Sequence, residues 1–104
     1  MRQFQVFRGG VNIGSITVDG RGEGGQWQPI PSFEAVRALF ERESSIGKLL
    51  EEASKPEDEE RYHEELEGIT EEIMEPGIEC HANDGSPPFE LLSLSIDGER
   101  AFWR

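Results

Sequence analysis

The chain has 104 residues, 22 of them acidic and 10 basic, for a net charge of −12. Leu, Ile, Val and Phe supply 25 residues, above the roughly 20% associated with disorder, so a single domain spanning residues 1–104 with one core is expected. The negative field argues against nucleic acid and anionic membranes as partners, no apolar run nears the roughly 20 residues of a bilayer span, and the lone Cys80 rules out an intrachain disulfide and fits a reducing, cytoplasmic setting.

The opening MRQFQVFRGG has neither an apolar h-region nor a cleavage pattern, so no signal peptide is expected. Residues 3–8 alternate and carry aromatic and β-branched types, which predicts a strand. Gly9-Gly10 turns the chain into a second strand at 12–18. Asp19 to Gly25 is a glycine-rich loop, and the two prolines in 26–31 (QWQPIP) predict irregular extended chain. Ser32 is a helix N-cap candidate, with Glu34 in the first turn. Phe33, Val36, Leu39 and Phe40 recur at helical spacing. This helix either continues to about Ala53 or breaks at Ser44–Gly47, and the pattern leaves both open. Ser54 and Pro56 start a second helix that runs to about Met74 and stops at Pro76-Gly77. Strands follow at 78–82, 89–96 and 99–103, the last two joined by Asp97-Gly98 as a type I′ turn. The order β-β-α-α-β-β-β predicts a two-layer α+β fold: an antiparallel sheet of about five strands with a helical hairpin on one face.

That last hairpin puts Leu92, Leu94 and Ile96 opposite Trp103, Ala101 and Glu99, on the core face with Phe4, Val6, Ile16 and Val18. The other face then receives Phe7, Phe89, Leu91 and Phe102. A solvated face should be polar. Either these four residues form a homodimer surface, or Trp27 and Ile30 fold over them.

The acids are concentrated. Residues 51–75 hold twelve against Lys55 and Arg61, and the rest of the chain carries only −2. On a helical wheel Glu57, Glu60, Glu64, Glu67, Glu71 and Glu75 fall within an arc of about 80°, opposite Tyr62, Leu66, Ile69 and Ile73. Charged runs usually just face water. Here each i,i+4 pair of like charges costs roughly 0.2–0.5 kcal/mol, and Gly68 adds roughly 1 kcal/mol of helix cost. Alternating lysines would have given the same solubility without repulsion. A ridge held at that cost suits a receptor for a basic protein surface, with electrostatic steering of the encounter. A toxin-neutralising or nucleic-acid-mimicking inhibitor is one such module.

Signals for chemistry are sparse. Gly20 to Gly25 matches G-x-G-x-x-G by letter, but Gln26–Pro31 intervenes before any helix, and Glu23 would repel phosphate. Cys80 and His81 are neighbours in a strand and point to opposite faces, so no metal site is expected, and no cofactor. No nucleophile–histidine set stands out, and a non-enzymatic role is expected over an enzyme. Glu43 is the one informative carboxyl, because a continuous helix puts it among Leu39, Phe40, Ile46 and Leu50. A desolvated acid there suits catalysis; otherwise the helix ends near Glu43, which caps the break, or Glu43 pairs with an arginine. With the loop tryptophan Trp27, it outlines a second reading: a ligand-binding or catalytic groove near Glu43 and Trp27. The leading reading is a non-enzymatic interaction module that uses the glutamate ridge.

Overall fold

The computed structural model describes residues 2–18, 20 and 24–104. The glycine-rich loop at 19–25 lies outside the described residues apart from Gly20, Gly24 and Gly25. The chain runs β1 (Arg2–Arg8), β2 (Val11–Val18), β3 (Gly25–Pro29), a 3-10 turn (Pro31–Ala35), α1 (Arg37–Glu52), α2 (Pro56–Met74), β4 (Ile78–Ala82), β5 (Phe89–Glu90), β6 (Leu94–Asp97) and β7 (Arg100–Trp103). The α+β class holds, but the sheet has seven strands, in the order β5-β4-β1-β2-β3-β7-β6 and antiparallel throughout.

Two differences account for the extra strands. The QWQP segment is a strand, because Gln26–Pro29 pairs with Gly14–Thr17 of β2 and Gly25 pairs with Ala101. Pro29 is tolerated at its last position, where the ladder ends. The segment read as one strand at 89–96 divides its pairing. Phe89 and Glu90 pair with β4, Leu94–Asp97 pairs with β7, and the two sheet edges are therefore joined by Leu91–Ser93. The backbone of that link is bonded on both sides. Leu91 N donates to Ile78 O, Leu92 N donates to Arg104 O, and Arg104 N donates to Ser93 O.

This connection dictates curvature. Seven strands laid flat would put the edges about 29 Å apart, whereas Glu90 and Leu94 can be at most about 14 Å apart along the chain. The sheet therefore curls into a half-barrel, with the helices on its concave side rather than on a flat second layer. The core joins Phe4, Val6, Ile16, Trp27, Leu94 and Ala101 of the sheet to Phe33, Phe40, Ile46, Ile69 and Ile73 of the helical segment. Each of the Val, Leu, Ile and Phe side chains among them contributes roughly 1.5–3 kcal/mol on burial.

The β6–β7 hairpin has Asp97 opposite Arg100, so Gly98-Glu99 forms its loop. Gly98 alone has positive φ (60°), the pattern of a type II′ turn rather than the expected I′. The shift is even in register, so Leu94, Ile96, Ala101 and Trp103 still share one face. Leu92, expected in the core, is 85% exposed, and Leu91 is buried instead, because the alternation loses its phase where the chain passes from one sheet edge to the other.

Of the two alternatives for the first helix, the continuous one is found: α1 passes through Ser44–Gly47 and ends at Glu52. Ser32 does not cap it. Val36 occupies the N-cap position, and the Ser32 hydroxyl donates to the carbonyl of Asn12 instead. In α2, Pro56 occupies the first turn with Glu57, Asp58 and Glu59, where the helix dipole favours anions.

The acidic C-terminal end of α2 is relieved from outside the helix. Arg8, at the end of β1, donates from Nε to Ile73 O and from Nη2 to Glu72 O, both at 2.9 Å. The guanidinium satisfies two carbonyls that the helix leaves open and opposes the negative end of its dipole. Charged hydrogen bonds of this kind contribute roughly 1.5–3 kcal/mol, so Arg8→Met should destabilise the domain by about 2 kcal/mol. Urea melts followed by circular dichroism would measure this, and an unchanged midpoint would remove the capping role.

Candidate functional site

The helical stretch that carries the ridge is intact from Pro56 to Met74, with Ile69 and Ile73 buried and Tyr62 and Leu66 packed against the core. That anchoring fixes the rotation of the rod. Glu57, Glu60, Glu64, Glu67 and Glu71 on α2, and Glu75 at its C-cap, are all exposed on the side away from the sheet. No ion pair among the described residues involves any of the six. Four surface cations pair elsewhere: Arg2 with Asp84, Arg37 with Glu34 and Glu41, Lys48 with Asp97, and Arg61 with Asp58. Arg61 also lies over the Tyr62 ring, 4.9 Å from its centroid. The ridge is therefore a strip of carboxylates that, among the described residues, forms no ion pair, with Arg8 capping the backbone at its C-terminal end.

Glu43 is buried, 5% exposed, on the inward stripe of α1. It pairs with no arginine. The Thr70 hydroxyl of α2 donates to its Oε2 at 2.8 Å, and its Oε1 has no hydrogen-bond partner. A buried polar atom left in that condition costs roughly 1–3 kcal/mol, and native proteins rarely keep one without a use. Glu43 and Thr70 line a groove of about 320 Å³ between α1, α2 and β6. Leu66 and Ile96 form its apolar walls, and the Lys48–Asp97 ion pair, 3.2 Å, stands at its rim.

Trp27 does not share this groove. It is 3% exposed on the concave face beside Ile16, with its ring over Gly14 and edge-on to Phe33 at 5.2 Å. Its indole N–H also lacks a partner. It borders a separate open depression with Gln28, Ile30, Arg37 and Glu99. The expected pairing of Glu43 with Trp27 in one site is thus replaced by two separate places. The reason is that Trp27 belongs to a strand, not to a free loop.

The proposed oligomer face is also dispersed. Leu91 is in the core, and Phe89 lies on the concave side with its ring edge-on to Phe4 at 5.5 Å. Phe7 is half-buried on the outer side against His81, with ring centroids 4.5 Å apart. Phe102 lies beside Gly24 on the same outer side, but β1 and β7 are three strands apart, about 14 Å. The rest of that side is polar, including Gln3, Gln5, Thr17, Gln26 and Gln28. The four residues do not make one apolar surface, and the ground for a homodimer through them is gone.

Cys80 is a buried core residue, as its strand position implies, and burial pushes its thiol from 9.0 up to about 11. It stays protonated near neutral pH and is a poor nucleophile. Among the described residues no helix is long and apolar enough to cross a membrane, and no three His, Cys, Asp or Glu side chains converge as a metal site.

What sequence reasoning missed is Thr70, which sits on the flank of α2 between the apolar stripe and the ridge. Its only signal was a small hydroxyl among glutamates, on the side that turns toward α1. No known protein family, curated protein or solved structure matches this chain.

Proposed function

We propose that the protein is a non-enzymatic interaction module, of the inhibitor or immunity type, whose α2 ridge docks on a Lys/Arg-rich protein surface. One observation carries this reading: six exposed carboxylates lie along one rod, and no ion pair among the described residues reaches them, while Arg2, Arg37, Lys48 and Arg61 pair with acids elsewhere. Such a strip raises the encounter rate with a basic patch through its field, and the partner's cations supply the side-chain ion pairs that the described residues do not make with it. The same field disfavours nucleic acid as a partner. A single buried, protonated thiol suits a reducing compartment such as the cytoplasm.

The test uses a labelled Lys/Arg-rich peptide with about as many positive charges as the ridge has carboxylates. Fluorescence anisotropy should show binding that weakens steeply with salt. Replacing Glu60, Glu64, Glu67 and Glu71 by Gln should abolish it. Replacing Glu52, Glu79, Glu90 and Glu99, an equal charge change elsewhere, should leave most of it. Equal loss in both variants would reduce the effect to net charge and overturn the docking role. The ridge variant should also be more stable by about 1 kcal/mol, because it removes i,i+4 repulsions; urea melts of the same two proteins check that sign.

A further inference from the structure

We propose that the groove between α1, α2 and β6 is a binding site for a small organic cation, an alkylammonium or alkylguanidinium on a short aliphatic stem. Hydrogen-bonding capacity is left over along its wall. The Thr70 hydroxyl hydrogen is committed to Glu43 Oε2, so Thr70 can only accept further bonds. The Lys48 ammonium spends one of its three N–H donors on Asp97 at the rim. The inner wall is acceptor-rich: the Glu43 carboxylate, whose Oε1 lacks a partner and is closed to solvent, the Thr70 oxygen and Glu51, beside the Ser44 and Ser95 hydroxyls, which donate or accept. Three acidic side chains face one basic one around the groove, so the occupant that complements it brings N–H donors and positive charge.

An anion would have to share Lys48 with Asp97 and sit against Glu43 and Glu51. A single bridging water does not fill the space, since about 320 Å³ holds roughly ten waters at liquid density. That volume falls at the lower end of ligand pockets. Leu66 and Ile96 supply apolar walls for a stem, which sets the ligand class as amphipathic rather than as a bare metal ion. Gly47 opens the groove further, because a Cβ built there meets nothing within 4 Å. The inference stands apart from the ridge, whose glutamates point away from the sheet.

The experiment is a titration of the labelled protein, followed by amide chemical shifts, with butylammonium and butylguanidinium. Butyrate and pentanol serve as anionic and neutral controls. Saturable shifts are expected at Gly47, Lys48, Thr70 and Ile96 with the two cations only. Glu43→Gln should weaken binding about tenfold or more. Should that variant fold poorly, Gly47→Leu places bulk in the open space while keeping the Glu43 carboxyl in the chain, and should block binding equally. The ridge variant with Gln at 60, 64, 67 and 71 should bind the cations as the parent does, so this result and the docking result can fail separately. Capped acetyl-lysine and acetyl-arginine methylamides complete the set. Binding by them assigns the groove to a side chain of a protein partner, and binding by the free cations alone assigns it to a small molecule. The proposal is overturned by equal shifts with butyrate or pentanol, by indifference to Gly47→Leu, or by the absence of shifts with any cation, which would leave the groove to water.

Discussion

Phe40→Ala is expected to destabilise the domain by about 4 kcal/mol and to lower its melting temperature by about 20 °C. Phe40 is 1% exposed and is the last member of an aromatic chain, with Trp27 to Phe33 at 5.2 Å and Phe33 to Phe40 at 5.5 Å. That chain ties β3, the 3-10 turn and α1 together, so its removal leaves a cavity bordered by three elements that cannot all relax into it. Domains of this size have roughly 5–15 kcal/mol in hand, so the variant should be marginal at physiological temperature. Phe40→Leu keeps most of the volume and should cost about 1.5 kcal/mol or less. Thermal melts by circular dichroism would measure both. A loss below about 1 kcal/mol for the alanine variant would mean the site collapses freely and the chain is no hub.

Gly24→Ala is expected to cost about 3 kcal/mol, more than most single-methyl additions, because strain and overpacking act together. Gly24 has φ of 82°, and a Cβ there would lie 2.3 Å from the Ala101 carbonyl oxygen and 2.9 Å from the Phe102 ring. The oxygen is backbone of β7, so relief requires shifting a paired strand. Gly68→Ala is the matched control. It adds the same methyl to α2, where nothing lies within 4 Å, and should stabilise by up to about 1 kcal/mol through helix propensity. The two substitutions should therefore move the urea midpoint in opposite directions. Movement in the same direction would show that β7 does not hold its place against Gly24.

The local periodicities were legible and the long-range pairings were not. The apolar spacing of Tyr62, Leu66, Ile69 and Ile73 defines the face that α2 buries, and hence the outward ridge, because helix geometry needs only neighbouring residues. Glu43 could be singled out for the same reason, since its place on the stripe of α1 follows from period alone. Trp27 could not be placed, because its segment becomes a strand only by pairing with β2 and β7, and its prolines argued the other way. Nor could the division of residues 89–96 be foreseen. A strand that changes partner half-way keeps its β-forming residues and loses only the phase of its alternation, which moved Leu91 inward and Leu92 outward. The Arg8 cap is invisible for a similar reason: it joins groups 65 residues apart.

The interior place of β1 in the sheet, between β2 and β4, sets a timetable for its completion. Phe4 pairs with Ile16 within its own hairpin, but on its other side it pairs with Ala82, 78 residues later. At roughly 5–20 residues per second of synthesis, one flank of β1 waits about 4–16 s for its neighbour. During that interval Phe4 and Val6 lack their final cover. The risk of misassociation in a nascent chain is then governed by the pace of translation more than by the stability of the finished protein.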